Sequence, residues 1–355
     1  MLVDCLIAGD GIAGLSTAIG IARTTDLTVA LISVPKYQTK TRVGEVVPPD
    51  VRIELSKLGL WERFTQQNHI ASSGVSSWWG GSDPIDRDFI YNPNGKGWNL
   101  DRLVFEEMLR STTENLKIQT YSVESLKDVR RVENGLWSLS NQEVKAHFLI
   151  NASGRSNSLT RFTGDRKVFD KLVAYVQYFD VSSAKESWNS RLWIEACVNG
   201  WWYSALLPSN SGIVVFLSDS DINTGSFDAI FADNLNTTFV TKSRVSGCVL
   251  KYGTQVFPAN TSKSDFDGCA NALTVGDASF TSDPLRGMGI FQCLKQALTA
   301  SETIGDYFGS NVPVSHTYTS YLENEFEKYY GGLFDTYSIE QRWSTSPFWS
   351  RRSFQ

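Results

Sequence analysis

The first thirty-five residues run as an apolar segment, the loop GDGIAG at positions 9–14, a stretch of small and apolar residues at helical spacing, and the apolar segment LTVALIS. That order describes a β-α-β unit, in which two parallel strands are joined by a helix packed across them. Gly9 is placed for a sharp turn after the strand, Gly11 for close approach of the backbone to a ligand, and Gly14 for tight packing of helix on strand. A glycine loop at a helix start also turns main-chain N–H groups and the positive end of the helix dipole outward, which suits the pyrophosphate of a dinucleotide. Taken alone, the triplet is equally a tight turn. Its setting between strand and helix favours dinucleotide binding, with Ile12 and Ala13 contributing to the cradle.

The expected acidic residue at the end of the second strand is missing: Ser33 stands there. A serine offers one hydrogen bond where a carboxylate offers two charge-assisted ones, so the adenosine ribose is weakly held and the cofactor easily lost.

Farther along, PPDVRIELSKLGLWERF reads as one helix, GVSSWWGG and RDFIYN as strands, and LDRLVFEEMLRSTTE as a helix with Leu103, Phe105, Met108 and Leu109 on its apolar face. HFLINASG is a buried strand. The chain from Leu172 to Val256 reads as mostly strand, and ALTVGDAS then returns to a strand and turn before a long helix and an aromatic-rich helical tail. The expected architecture is α/β. A Rossmann-type cofactor domain (residues 1–66, 97–164 and 265–305) is interleaved with an antiparallel substrate sheet (67–96 and 165–264), and a helical C-terminal segment (306–355) follows.

Composition narrows the class. A chain of 355 residues with 41% hydrophobic and 20% charged residues is ordinary for a globular protein, and a net charge of -5 with no basic run argues against nucleic acid. Five cysteines without a CxxC pair and three scattered histidines argue against a zinc site; the thiols fit a reducing compartment. The N-terminus lacks the basic region and long apolar run of a signal peptide or membrane span, so a cytoplasmic protein is expected.

The segment VGDASFTSDPLRGMGI, at 275–290, is rarer than a glycine triplet. Asp277, just past a strand, suits the hydroxyls of a ribityl chain. Pro284, Gly287, Met288, Gly289 and Ile290 lead into a helix and would bring backbone N–H groups to the pyrimidine edge of an isoalloxazine. A capped helix start, with Asp277 serving a turn, is the plainer reading. The two glycine-rich segments together favour FAD.

The series GDGIAG, RVGEVVPP, GWNLDRLVFEEML, NASGRSN and GDASFTSDPLRGMGI resembles the group-A flavoprotein monooxygenases in their tryptophan-halogenase-like, PHBH-like branch, and within it the LodB/GoxB flavoproteins. GWWYSALLP and EQRWSTSPFWSRR resemble this branch as well, so the likeness spans nearly the whole chain. Those flavoproteins assist in making the cysteine tryptophylquinone cofactor of LodA- and GoxA-type amino-acid oxidases. The resemblance implies that Gly9, Gly11 and Gly14 hold the pyrophosphate, Arg102 reaches the flavin phosphates or ribityl, Asp277 binds the ribityl, and Gly287, Met288 and Gly289 border the ring. It also implies that the segment carrying Arg42, Gly44 and Glu45 faces the isoalloxazine; Glu45 is equally a structural residue capping the helix that follows.

Halogenases of this branch carry a catalytic lysine in the stretch after that helix and a Trp-x-Trp-x-Ile-Pro motif. Here HIASSGVSSWWGG has no lysine, and the later motif reads GWWYSALLP. Without the lysine, hypohalous acid has no relay from flavin to substrate, so oxygen insertion is favoured. The flavin carries the oxygen chemistry, and the protein must place the ring and exclude water. The catalytic candidates are Glu45, Pro284 and Trp201. Trp78, Trp79, Trp202 and Tyr203 are candidate substrate walls, though aromatics so spaced more often fill cores. The leading expectation is an FAD-dependent, NADH- or NADPH-using monooxygenase that takes O2 and hydroxylates a protein-bound tryptophan in the precursor of a LodA/GoxA-like oxidase. The alternatives are a hydroxylase or halogenase of a free small aromatic, and a flavin-stabilised chaperone without catalysis.

Overall fold

The computed structural model describes residues 1–35, 43–140, 142–156, 158, 159, 162, 164–265, 270–310 and 312–352. Strands Leu2–Ala8 and Val29–Ser33 flank the helix Ile12–Thr24 and pair in parallel, as the β-α-β reading requires. The sheet extends on one side through Gln119–Ser122 and on the other through Val144–Asn151, both parallel. Beyond lie the antiparallel strands Trp137–Leu139 and Val129–Arg131, while Ala272–Thr274 adds in parallel to the far half of Val144–Asn151. Strand ends from positions 8, 151 and 274 therefore emerge side by side, bringing three loops distant in sequence to one edge.

Among the described residues the second large sheet has eight strands. Leu172–Asp180, Ser211–Asp219, Gly200–Leu207 and Leu192–Cys197 form an antiparallel run, with Gly74–Trp78 added in parallel and Ile85–Asp88 at the edge. Because side chains alternate along a strand, one face of this sheet (Trp201, Tyr203, Ile213, Val215) joins the central core, and the other (Trp202, Val214, Phe216) forms a separate cluster. Helices Phe227–Leu235 and Val240–Val245 cover that second face. They correct the expectation of mostly strand between 172 and 256. Ser226 caps the first of them, and Ile230 and Phe231 fall on its buried side.

Three other expectations change, the first at RDFIYN, where the strand ends at Asp88 and Phe89–Tyr91 is one 3-10 turn. The single helix expected over residues 48–64 is two, Val51–Lys57 and Trp61–Thr65, because Gly59 turns the chain with a φ of +63°. On helix Arg102–Asn115, Phe105, Met108 and Leu109 are buried as expected but Leu103 is half exposed, being in the first turn on the solvent side.

Helix Gly289–Ser310 lies along the first helix so closely that a Cβ on Gly20 would stand 2.3 Å from Ser301 Oγ. The tail helix Val314–Ser338 and the short helix Pro347–Ser350 pack their aromatic rings onto the central core. Among the described residues no helix is long and apolar enough to cross a membrane.

Candidate flavin site

At the strand edge, Gly9 adopts a φ of +126°, and a Cβ there would lie 2.3 Å from the Ala152 carbonyl oxygen. Gly14 is as constrained: its Cβ would fall 1.9 Å from the Gly9 carbonyl oxygen. Gly11 differs: among the described residues, its chain neighbours aside, no atom lies within 4 Å of where its Cβ would stand. It forms the N-terminal boundary of the first helix without a side-chain cap, and no acidic residue occupies that first turn. No side chain caps the leading N–H groups of the helix, and Ile12 and Ala13 are buried.

The late loop abuts this turn. Gly276, with a φ of +63°, comes so near that its Cβ would stand 2.5 Å from Ala13 Cβ. Asp277 follows, with its carboxylate 3.4 Å from Arg155 and its carbonyl oxygen accepting from Arg166 at 2.8 Å. Among the described residues, nothing stands within 4 Å of a Cβ placed on Gly154, Gly287 or Gly289, and Ser153 Oγ is buried without a partner. Glycine backbone, an uncapped helix start, a partly exposed carboxylate and an orphaned hydroxyl together make a trough whose donors and acceptors fit a dinucleotide. Under Gly276, burial pushes the Cys293 thiol up to about 12, with Asp277 adding to the effect, so it stays protonated.

Ser33 does not stand alone. It donates to Asp10 at 2.9 Å, and Arg110 binds the same carboxylate at 2.9 Å. Asp10, inside the glycine loop, and Arg110, a hundred residues away, were not singled out from sequence; an acid between two glycines was the available signal.

A second group lies at residues 43–47. Gly44 has a φ of +97°, and Arg102 donates to the carbonyls of Val43 at 2.6 Å and Gly44 at 2.8 Å while pairing with Glu106 at 2.8 Å. This geometry fixes the turn that presents Glu45. The Glu45 carboxylate is buried, accepting from the Gly44 N–H at 3.0 Å and the Tyr178 hydroxyl at 3.1 Å. Burial pushes its pKa up to about 7 against the lowering effect of Arg102. Burial and the Glu45 charge raise the Tyr178 and Tyr203 hydroxyls in turn. Arg42 lies outside the described residues.

The aromatic candidates separate into two sets. Trp79, Trp201 and Tyr203 share the central core, where Trp79 and Trp201 lie 6.3 Å apart edge to face, and Trp201 Nε1 donates to the Tyr337 hydroxyl at 3.0 Å. Trp202 is on the opposite face of the sheet, stacked on Phe216 at 4.7 Å, and Trp78 packs on Phe239. Pro284 opens a short turn capped by Asp283, whose Oδ1 accepts from the Leu285 N–H at 2.9 Å; Gly287 closes it at a φ of +59°, leaving Met288 half buried and Ile290 buried at the helix start. Asp283 was not named from sequence. It is buried, accepts from Tyr337 at 2.7 Å, and is pushed up to about 6 by burial. His69 is a core residue: Nδ1 accepts from the Asp101 N–H at 3.1 Å, and burial lowers its pKa to about 4.

Solved structures show which fold this is. The chain has the fold of the FAD-dependent halogenases and monooxygenases: it superposes on the myxobacterial chondrochloren halogenase CndH with a TM-score of 0.84 at 18% identity, covering 100% of this chain and 86% of that one. The peptidyl tryptophan dihydroxylase QhpG, essential for tryptophylquinone cofactor biogenesis, superposes with a TM-score of 0.79 at 20% identity, over 99% of this chain and 79% of its own. In sequence, a relative is LodB of Marinomonas mediterranea, which carries the name of an FAD-dependent oxidoreductase; it is 24% identical over 98% of this chain and 96% of its own. The resemblance to LodB-type flavoproteins is thereby borne out. No family model matches the chain.

Proposed function

We propose that this protein is an FAD-dependent monooxygenase that hydroxylates a protein-bound tryptophan in a precursor amino-acid oxidase during tryptophylquinone biogenesis. The observation that carries this reading is the end-to-end likeness to LodB, with the glycine-walled trough in the corresponding fold. The likeness in fold to QhpG supports the choice of substrate.

The uncapped N–H groups after Gly11 would hold the pyrophosphate, Asp277 and Ser153 the ribityl and phosphate oxygens, and the backbone after Gly287 the edge of the ring. Bound FAD, reduced by NADH or NADPH, supplies the activation of O2 and an electrophilic oxygen. The chain's own part is positional and protic. Glu45, whose pKa burial pushes up to about 7, can hold or release a proton at its carboxylate beside the Tyr178 hydroxyl. Gly44 and Arg102 keep that carboxylate in place, and the Trp79–Trp201 side of the sheet keeps the surroundings dry.

Reconstitution with the precursor, FAD, NAD(P)H and air tests the reading, with oxygen gain on the precursor measured by mass spectrometry. Gain on the precursor is expected. Oxygen or halogen appearing only on free tryptophan, in the presence of chloride or bromide, would replace it with the small-aromatic reading. Maturation supported by a variant unable to bind FAD would replace it with a chaperone.

A further inference from the structure

Strand Val29–Ser33 ends in a serine where a dinucleotide fold commonly places the acid that takes the adenosine ribose. A carboxylate reaches that spot from another part of the chain. Strands Leu2–Ala8 and Val29–Ser33 run in parallel with Ala8 opposite Ile32, and the Gly9 N–H donates to the Ile32 carbonyl at 3.0 Å. The residue after Gly9 therefore stands beside the residue after Ile32. These are Asp10 and Ser33, and the Ser33 hydroxyl donates to Asp10 Oδ2 at 2.9 Å. Arg110, from helix Arg102–Asn115, donates to the same oxygen at 2.9 Å.

A carboxylate inside a loop that faces a pyrophosphate meets like charge unless it is turned aside and answered. Here one donor belongs to the neighbouring strand and the other to a different helix, so the carboxylate is tied to the side of the loop where Val29–Ser33 ends. Arg110 supplies the counter-charge; its other acidic neighbour, Glu107 at 3.8 Å, is an exposed side chain. Both bonds fall on Oδ2. Among the described residues Oδ1 accepts none, and the Asp10 side chain stays partly exposed. We infer that Asp10 is the acceptor for the hydroxyls of the adenosine ribose of FAD, with Ser33 and Arg110 as positioning residues, an inference that rests on the proposed FAD site. Hydroxyls donating to a carboxylate make charge-assisted bonds, so the ribose is held more firmly than Ser33 alone would hold it. The acid missing from the strand end is supplied by the glycine loop.

Titrating the full chain with FAD, and with an FAD analogue whose adenosine lacks both ribose hydroxyls, tests this by flavin fluorescence. The wild type is expected to bind FAD about tenfold or more tighter than the analogue. Asp10→Ala should bind the two alike. Asp10→Asn, which keeps a neutral acceptor, should retain a preference of about threefold, and it carries the test where Asp10→Ala does not fold. A wild type indifferent to the ribose hydroxyls would overturn the assignment. So would a preference undiminished in the variants that fold, or FAD affinity unchanged or raised in them, and Asp10 would then be a structural part of the loop. These results leave the flavin site standing. A wild type that binds neither compound removes the flavin site itself, and this assignment with it.

Discussion

Gly11 and Gly14 stand three residues apart and are constrained in opposite ways. Gly14→Ala drives a methyl group into the Gly9 carbonyl, so the fold should lose about 3 kcal/mol in urea denaturation. Gly11→Leu meets open space, so stability should hold within ~0.5 kcal/mol while FAD affinity, read by flavin fluorescence, falls about tenfold or more. Loss of stability in Gly11→Leu with unchanged FAD affinity would contradict the trough. Glu45 gives a pH prediction. The unfolded chain releases its proton near the ordinary value of 4.5, whereas the folded chain keeps it to about 7. The folded state therefore binds the proton more tightly, and its stability from this site is full below the ordinary value and is lost as pH rises through that window, by about 3 kcal/mol in all. Glu45→Gln, an uncharged mimic, should gain on the wild type across the same window; parallel curves for the two would refute the burial account. The tight packing at Gly14 was readable from the triplet. The pairing of Ser33 with Asp10 and Arg110 was not, because nothing local in the sequence joins residues a hundred positions apart.

Elements were legible where periodicity and caps agreed. Asp101 caps the Arg102–Asn115 helix by accepting from the N–H groups of Leu103 and Val104, at 3.0 and 3.1 Å, and Asp101→Ala should cost about 1 kcal/mol in denaturant titration. An unchanged midpoint would show that the bonds contribute nothing net. The break at Gly59 and the helix at Phe227–Leu235 left signals that were outvoted: a lone glycine inside a helical pattern, and a Ser226 cap amid strand-like neighbours. The adjacent tryptophans at 201 and 202 show a further limit. Their strand assignment was plain, and alternation alone puts them on opposite faces, but which face meets the flavin side depends on sheets paired from distant segments.

At the scale of the whole molecule, the tail helices are held to the sheet by charge as well as by rings. Asp219 is almost fully buried and binds both Arg351 and Arg352, so Asp219→Ala strands a buried guanidinium and should cost about 3–5 kcal/mol, read as a lower denaturation midpoint. The interleaving that brings the ends of three strands together at the trough follows from parallel pairings between segments more than a hundred residues apart. Motif order suggested that arrangement, but only the pairings fix it. Under the proposed function, this chain transfers oxygen from O2 to a tryptophan held in another protein. Incubating the FAD-loaded protein with NADH, the precursor and isotopically labelled dioxygen, then locating the label by peptide mass spectrometry, tests it most directly. Label on a tryptophan of the precursor is the predicted result; an unlabelled precursor, or oxygen drawn from water, would contradict it.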